Sequence, residues 1–320
     1  MAADNGFNQG WGMRLRIMVT SVLVFGVIAL IIGLIMNATG VSGSGSIFFW
    51  LFVSLAMLGV QWYLGPSIIK WATGAKELKQ ENAPEVFEMV ARLTKKAGLP
   101  MPKLYAVQNP TPNAFAFGRT QSDAGIAVHT GLLQALSKEE VEGVLAHEIG
   151  HINNRDVAVM TIASILPVAL YYGVLIFGRD EDGAGSLFTW IGAFAAQIVG
   201  QVMVMWLSRQ REYFADEFSA RLTGNPLALM SALAKITYSG AAPKGGNSGS
   251  MVNALYFAEP AKGRQEFAEI ARAIGSRNES ALAEAIAKEK GRGGMEMFMT
   301  HPLTAKRLER LMMIRKGLAG

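Results

Sequence analysis

Four stretches of this chain contain no Asp, Glu, Lys or Arg and approach or reach the length of a bilayer crossing: residues 17–36, 47–64, 160–178 and 187–207. A helix needs about 20 consecutive apolar residues to cross the hydrocarbon core, where each backbone group must find its partner within the protein. Buried helices of a soluble core seldom combine such length with a complete lack of charge. Composition agrees: 17% of the 320 residues are charged and 51% are hydrophobic, against roughly 25% charge in soluble proteins. Arg14 and Arg16 precede the first run, as in a secretory signal. That run exceeds the apolar core of about 7–15 residues in such signals, and a second run follows at once, so a retained anchor is expected. The second run ends in Gln61-Trp62-Tyr63 with Pro66 just beyond, an interfacial aromatic pattern. The third, with Pro167, Tyr171 and Tyr172, and the fourth, with Gln197 and Gln201, are the less hydrophobic pair.

Lys and Arg beside the runs set an expected orientation. Arg14 and Arg16 flank the first run, residues 37–46 carry neither Lys nor Arg, and Lys70, Lys76 and Lys79 follow the second. The third and fourth are joined through Arg179-Asp180-Glu181-Asp182, and Arg209 and Arg211 follow the fourth. This pattern places both termini and the long polar segments in the cytoplasm. The expected organisation is a cytoplasmic N-terminus (1–16), a first transmembrane hairpin (17–64), a cytoplasmic catalytic region (65–159), a second transmembrane hairpin (160–207) and a further cytoplasmic region (208–320).

The polar segments read as α+β and mainly helical. A helix is expected over 84–97, a turn over 98–102, and short strands near 104–107, 114–118 and 125–128. A long helix starts at Lys138, where Ser137 and Glu140 form a capping box. Residues 208–320 read as helical, interrupted by a Gly/Ser-rich stretch over 240–250. The absence of cysteine excludes a disulfide scaffold, a thiolate metal site and a thiol nucleophile. The net charge of +5 is scattered and largely accounted for by topology, so no nucleic-acid partner is expected. Lys306, Arg307, Arg310, Arg315 and Lys316 form a basic stretch suited equally to anionic lipid.

The helix opened by Ser137 carries His147-Glu148-Ile149-Gly150-His151. Histidines at i and i+4 share a helical face, so both imidazoles can reach one tetrahedral ion, and the adjacent glutamate can take a proton from metal-bound water. Zinc needs a third protein ligand and a free position for that water. Glu212 and Asp216 repeat the i, i+4 spacing just after the fourth apolar run. If the third and fourth runs form a hairpin, they return Glu212 to the side of the histidines as third ligand, with Asp216 orienting a ligand histidine. The competing readings are a helix with two surface histidines, and a Glu212 paired with Arg209 or Arg211 on a solvated face. His129 reads as a structural strand residue.

These residues resemble the HtpX-type branch of the M48 zinc metallopeptidases, integral membrane proteases of bacteria. The resemblance runs along nearly the whole chain: two leading membrane runs, Asn113-Ala114-Phe115-Ala116, the histidine motif, the apolar hairpin, Glu212 with Asp216, and His301-Pro302 with Arg307. It implies a gluzincin-type zincin domain with about four transmembrane helices and one Zn²⁺ per chain. It makes His147, His151 and Glu212 the ligands and Glu148 the general base. Residues 113–116 would be an edge strand that pairs with extended substrate, His301 an oxyanion-stabilising group and Arg307 its support. The implied activity is proteolysis of misfolded or damaged membrane proteins at the cytoplasmic face of the inner membrane. The implied partners are those substrates, the lipid bilayer and other membrane quality-control proteins. Two alternatives stay open at this point: a processing protease for lipidated C-termini, and a zinc-binding membrane scaffold without turnover.

Overall fold

The computed structural model describes residues 44–178, 187–239, 269–270, 272–274, 276, 279–290 and 301–319. The first apolar run, the 179–182 connection and the Gly/Ser-rich stretch lie outside the described residues. The chain begins here with helix α1 (Ser44–Thr73), followed by a two-residue strand β1 (Lys76–Glu77) and α2 (Pro84–Ala97). Proline at the first turn of α2 and Gly98 in the left-handed conformation just past its end bound that helix where the sequence expects them.

Strands β2 (Lys103–Val107), β3 (Ala114–Gly118) and β4 (Ala124–His129) complete a sheet of order β1-β2-β4-β3. β2 and β4 are parallel, while β1 and β3 run antiparallel to their neighbours. β3 is therefore an edge, bonded only to β4. His129 N–H donates to the Asn113 carbonyl, so with Ala114 opposite Val128 the backbone groups of Ala114, Ala116 and Gly118 point away from the sheet.

A short helix α3 (Thr130–Ala135) leads into α4 (Lys138–Asn153). Ser137 caps α4 as expected: its hydroxyl accepts from Glu140 N–H, and its own N–H donates to the Glu140 carboxylate. α4 packs across one face of the sheet through Leu145 and Ile149, which meet Ile126, Leu104, Val90 and Leu93 in the main core. Each such side chain, once fully buried, contributes roughly 1.5–3 kcal/mol. On the opposite face Tyr105, Phe117 and Ala127 meet Ile69 of α1.

The third apolar run is a broken rod, α5 (Asp156–Ala163) and α6 (Ile165–Phe177). Pro167 has no N–H for the Ala163 carbonyl, which locates the break one turn ahead of the proline. The fourth run continues into one 37-residue helix, α7 (Leu187–Thr223). At 1.5 Å per residue it is about 55 Å long, nearly twice the hydrocarbon thickness, so its polar end extends well beyond the apolar run. Among the described residues, the segments Ile47–Thr73, Asp156–Phe177 and Leu187–Thr223 are long and apolar enough to cross a membrane. α8 (Pro226–Ser239), α9 (Glu279–Lys290) and α10 (Thr304–Ala319) follow. Leu229, Met230, Leu282, Leu308 and Leu311 form a second core among these helices and α7.

Candidate metal centre

α4 presents His147, Glu148 and His151, and the polar end of α7 presents Glu212; of the first two and Glu212, none is more than 7% exposed. His147 Nε2 and His151 Nε2 are 3.1 Å apart. Each lies 3.6 Å from an oxygen of Glu212. A tetrahedral ion with bonds of about 2.0–2.1 Å has ligands about 3.3–3.4 Å apart, so this donor set matches a zinc-sized ion. Two imidazole nitrogens this close need a shared proton or a common cation. The local field favours positive charge: His147 is pushed up to about 10, because Asp216 and Glu212 outweigh the opposing effects of burial and Arg307. His147, His151 and Glu212 thus form a group that could hold a metal ion.

Behind these donors lies a second layer. Arg307 grips Asp216 with both arms, Nε to Oδ2 at 2.8 Å and Nη2 to Oδ1 at 2.6 Å. It also sits 3.3 Å from Glu212 Oε2. Burial opposes the charge on Arg307, but Asp216 more than compensates and holds the guanidinium protonated. His147 Nδ1 is 3.0 Å from Asp216 Oδ1, yet has no well-directed hydrogen bond. The contact is one of charge and proximity, with Asp216 committed to Arg307.

His151 has a partner that the sequence reading misses. Its Nδ1 meets Asp156 Oδ2 at 2.5 Å, and Arg211 Nη1 stands 3.4 Å from the same oxygen. Asp156 is five residues beyond His151, which on a continuous helix would put it on another face. Arg155 adopts φ 55°, the left-handed region, and this turn brings Asp156 back as the first residue of α5. An acidic residue opening the next helix is the only hint the sequence offers.

Glu148 Oε2 accepts a 2.7 Å hydrogen bond from the outward N–H of Ala116. Burial raises the Glu148 pKa, while His151 and His147 counteract it. His301 is 69% exposed, with Nδ1 3.4 Å from Glu212 Oε1. Pro302 stands two residues ahead of α10. His129 lies apart, its Nδ1 3.0 Å from the Thr111 carbonyl and its ring edge-on to Phe115. A cleft of about 830 Å³ joins these elements, bordered by Asn113, Ala114, Phe115 and Ala116 of the edge-strand region, by the candidate ligands, and by His301 and Arg307. It continues between Leu58, Trp62 and Pro66 of α1 and Met160 and Thr161 of α5.

The profile of Peptidase family M48 matches residues 80–315, a span that contains the whole site. The chain belongs to family M48. The M48 peptidases are zinc metalloproteases, and this chain is a metalloprotease of the membrane type. It is 36% identical over 286 residues to Protease HtpX homolog 2 of Methanosarcina acetivorans, covering 87% of this chain and 88% of that one. It is 34% identical over 324 residues to Protease HtpX homolog of Thermococcus sibiricus, covering 97% and 99%. A crystal structure of Ste24p from S. mikatae shares the fold, with a TM-score of 0.54 at 16% identity, covering 94% of this chain and 66% of that one.

Proposed function

We propose that this M48 peptidase is a zinc-dependent endopeptidase of the cytoplasmic membrane that cleaves misfolded or damaged membrane proteins at the cytoplasmic face. The observation that carries the reading is the convergence of His147, His151 and Glu212 within bonding reach of one ion, with Glu148 between them and an open strand edge. His147, His151 and Glu212 would hold the zinc, which would supply Lewis-acid polarisation of a peptide carbonyl and activation of water near neutral pH.

The remaining work falls to this chain's own groups. Glu148 takes the proton from the attacking water and passes it to the leaving amine. A buried carboxylate with a raised pKa suits that exchange near neutrality. Ala114 and the Ala116 carbonyl face outward along the β3 edge and pair with an extended substrate, while the Ala116 N–H is held by Glu148, so recognition rests mainly on backbone rather than on side-chain identity. His301, exposed beside Glu212, donates to the oxygen that becomes negative as the carbonyl is attacked. Asp156 orients the His151 imidazole, Asp216 sets negative charge beside His147, and Arg307 keeps Asp216 and Glu212 from repelling each other.

The continuation of the cleft between α1 and α5 supports a substrate that carries an apolar segment next to the cleaved bond. Backbone recognition beside the membrane suits unfolded membrane proteins of many sequences, and other membrane quality-control proteins are the expected collaborators. The test is proteolysis of an unfolded membrane protein by purified enzyme in detergent. Chelation should abolish cleavage and zinc should restore it, with an unfolded soluble protein cut more slowly. Cleavage indifferent to chelation would remove the metal from the account, and equal rates on both substrates would remove the membrane preference.

A further inference from the structure

Gly150 stands three residues after His147 and one before His151; Ala215 stands three after Glu212 and one before Asp216. The two face each other across the contact between α4 and α7. A Cβ built on Gly150 would lie 3.1 Å from Ala215 Cα, 3.3 Å from the Ala215 carbonyl oxygen and 3.2 Å from Phe218 Cδ1. Ala215 itself is fully buried. Two of those three atoms are backbone, so no side-chain swing can relieve them. Further along the crossing, the Ser219 hydroxyl donates to the Gly143 carbonyl at 2.7 Å, which pins the helices in register.

We infer that Gly150 is a positioning residue: its missing side chain sets the α4–α7 spacing that brings Glu212 to the two histidines. The inference rests on the ligand roles proposed above. All three donors lie on these two helices, the histidines on one and the carboxylate on the other. Widening the crossing by a few tenths of an ångström moves Glu212 away from both imidazoles at once. Metal bonds tolerate deviations of only about 0.2 Å, so a shift the fold absorbs easily is large for the ion. The direction of the effect is diagnostic. Helix propensity alone favours Gly150→Ala at an interior position, so a loss on that substitution reports the close approach of the two helices and not the helix itself.

The experiment measures zinc affinity by chelator competition and thermal unfolding of the metal-free full-length enzyme in detergent. It compares the parent, G150A, G150S and H151A. G150A should lose at least tenfold in zinc affinity while its metal-free unfolding temperature moves by only a few degrees, and G150S, whose side chain reaches further toward α7, should lose more. Parental affinity in G150A or G150S overturns the inference. A G150A that fails to fold also overturns it, because Gly150 then serves the fold and not the spacing of the donors. H151A separates the two levels, since undiminished zinc binding there overturns the ligand assignment, whereas loss in H151A with retention in G150A overturns the seam alone.

Discussion

The two ring nitrogens of His147 face different surroundings: Nε2 looks toward His151 and Glu212, and Nδ1 toward Asp216. His151 repeats the arrangement with Asp156 at 2.5 Å. The hydrogen-bonded Asp156 fixes the His151 tautomer and strengthens that imidazole as a donor. Asp156→Asn should therefore weaken zinc binding roughly 10–100-fold with the fold retained, a loss that competition titration against a chelator will measure. Arg307 serves the carboxylates in turn. Removing it leaves Asp216 and Glu212 buried together, a type of loss that costs about 3–5 kcal/mol. Arg307→Ala should lower metal-free stability by that order in denaturant unfolding. Arg307→Lys should recover little, because an ammonium cannot reproduce the two-armed grip at 2.8 and 2.6 Å. At this scale the i, i+4 spacing made it legible that His147 and His151 share a helical face, and the structure brings Glu212 beside them. Asp156 was not legible, since a left-handed Arg155 rather than a helical repeat brings it to His151.

Helix α4 is held at its start by a polar cluster remote from the candidate metal donors. Glu140 closes the capping box with Ser137 and also accepts from Ser231 of α8 at 2.5 Å and Lys235 at 2.7 Å. Burial works against the Glu140 carboxylate, but Lys235 and Ser231 win and hold its pKa below the ordinary 4.5. A carboxyl with a depressed folded pKa stabilises the fold above its unfolded value and loses that contribution as pH falls through the folded one. Glu140→Gln retains a side chain that can complete the box and removes the charge. The parent should exceed it in unfolding free energy by about 1–3 kcal/mol at pH 7, with the gap shrinking below pH of about 4.5. Denaturant curves at several pH values check both size and sign. The capping box was legible in Ser137 and Glu140; the α8 partners were not, because they are some 90 residues away in sequence. The break before α6 was hidden for a related reason, since Pro167 acts on the Ala163 carbonyl one turn earlier.

On the scale of the molecule, one long helix does the joining. α7 starts in the apolar run and carries Glu212 and Asp216 on the same rigid rod, so the pairing of α6 with α7 also fixes where Glu212, the candidate third ligand, stands. Arg307 and His301 arrive through α10, which Leu308 and Leu311 seat in the second core. That long-range packing has no local sequence signal, and only the resemblance pointed to those two residues. The orientation can be read directly, because the chain has no cysteine. A single Glu85→Cys on an exposed position of α2 should resist a membrane-impermeant maleimide in intact cells and react in inverted vesicles; labelling in intact cells would reverse the proposed topology. The most direct test of the central claim is Glu148→Gln in the zinc-loaded enzyme, assayed on an unfolded membrane protein. The account predicts one zinc per chain, as in the parent, and cleavage reduced by roughly 10²–10⁴-fold. Cleavage at the parental rate with zinc in place would contradict it.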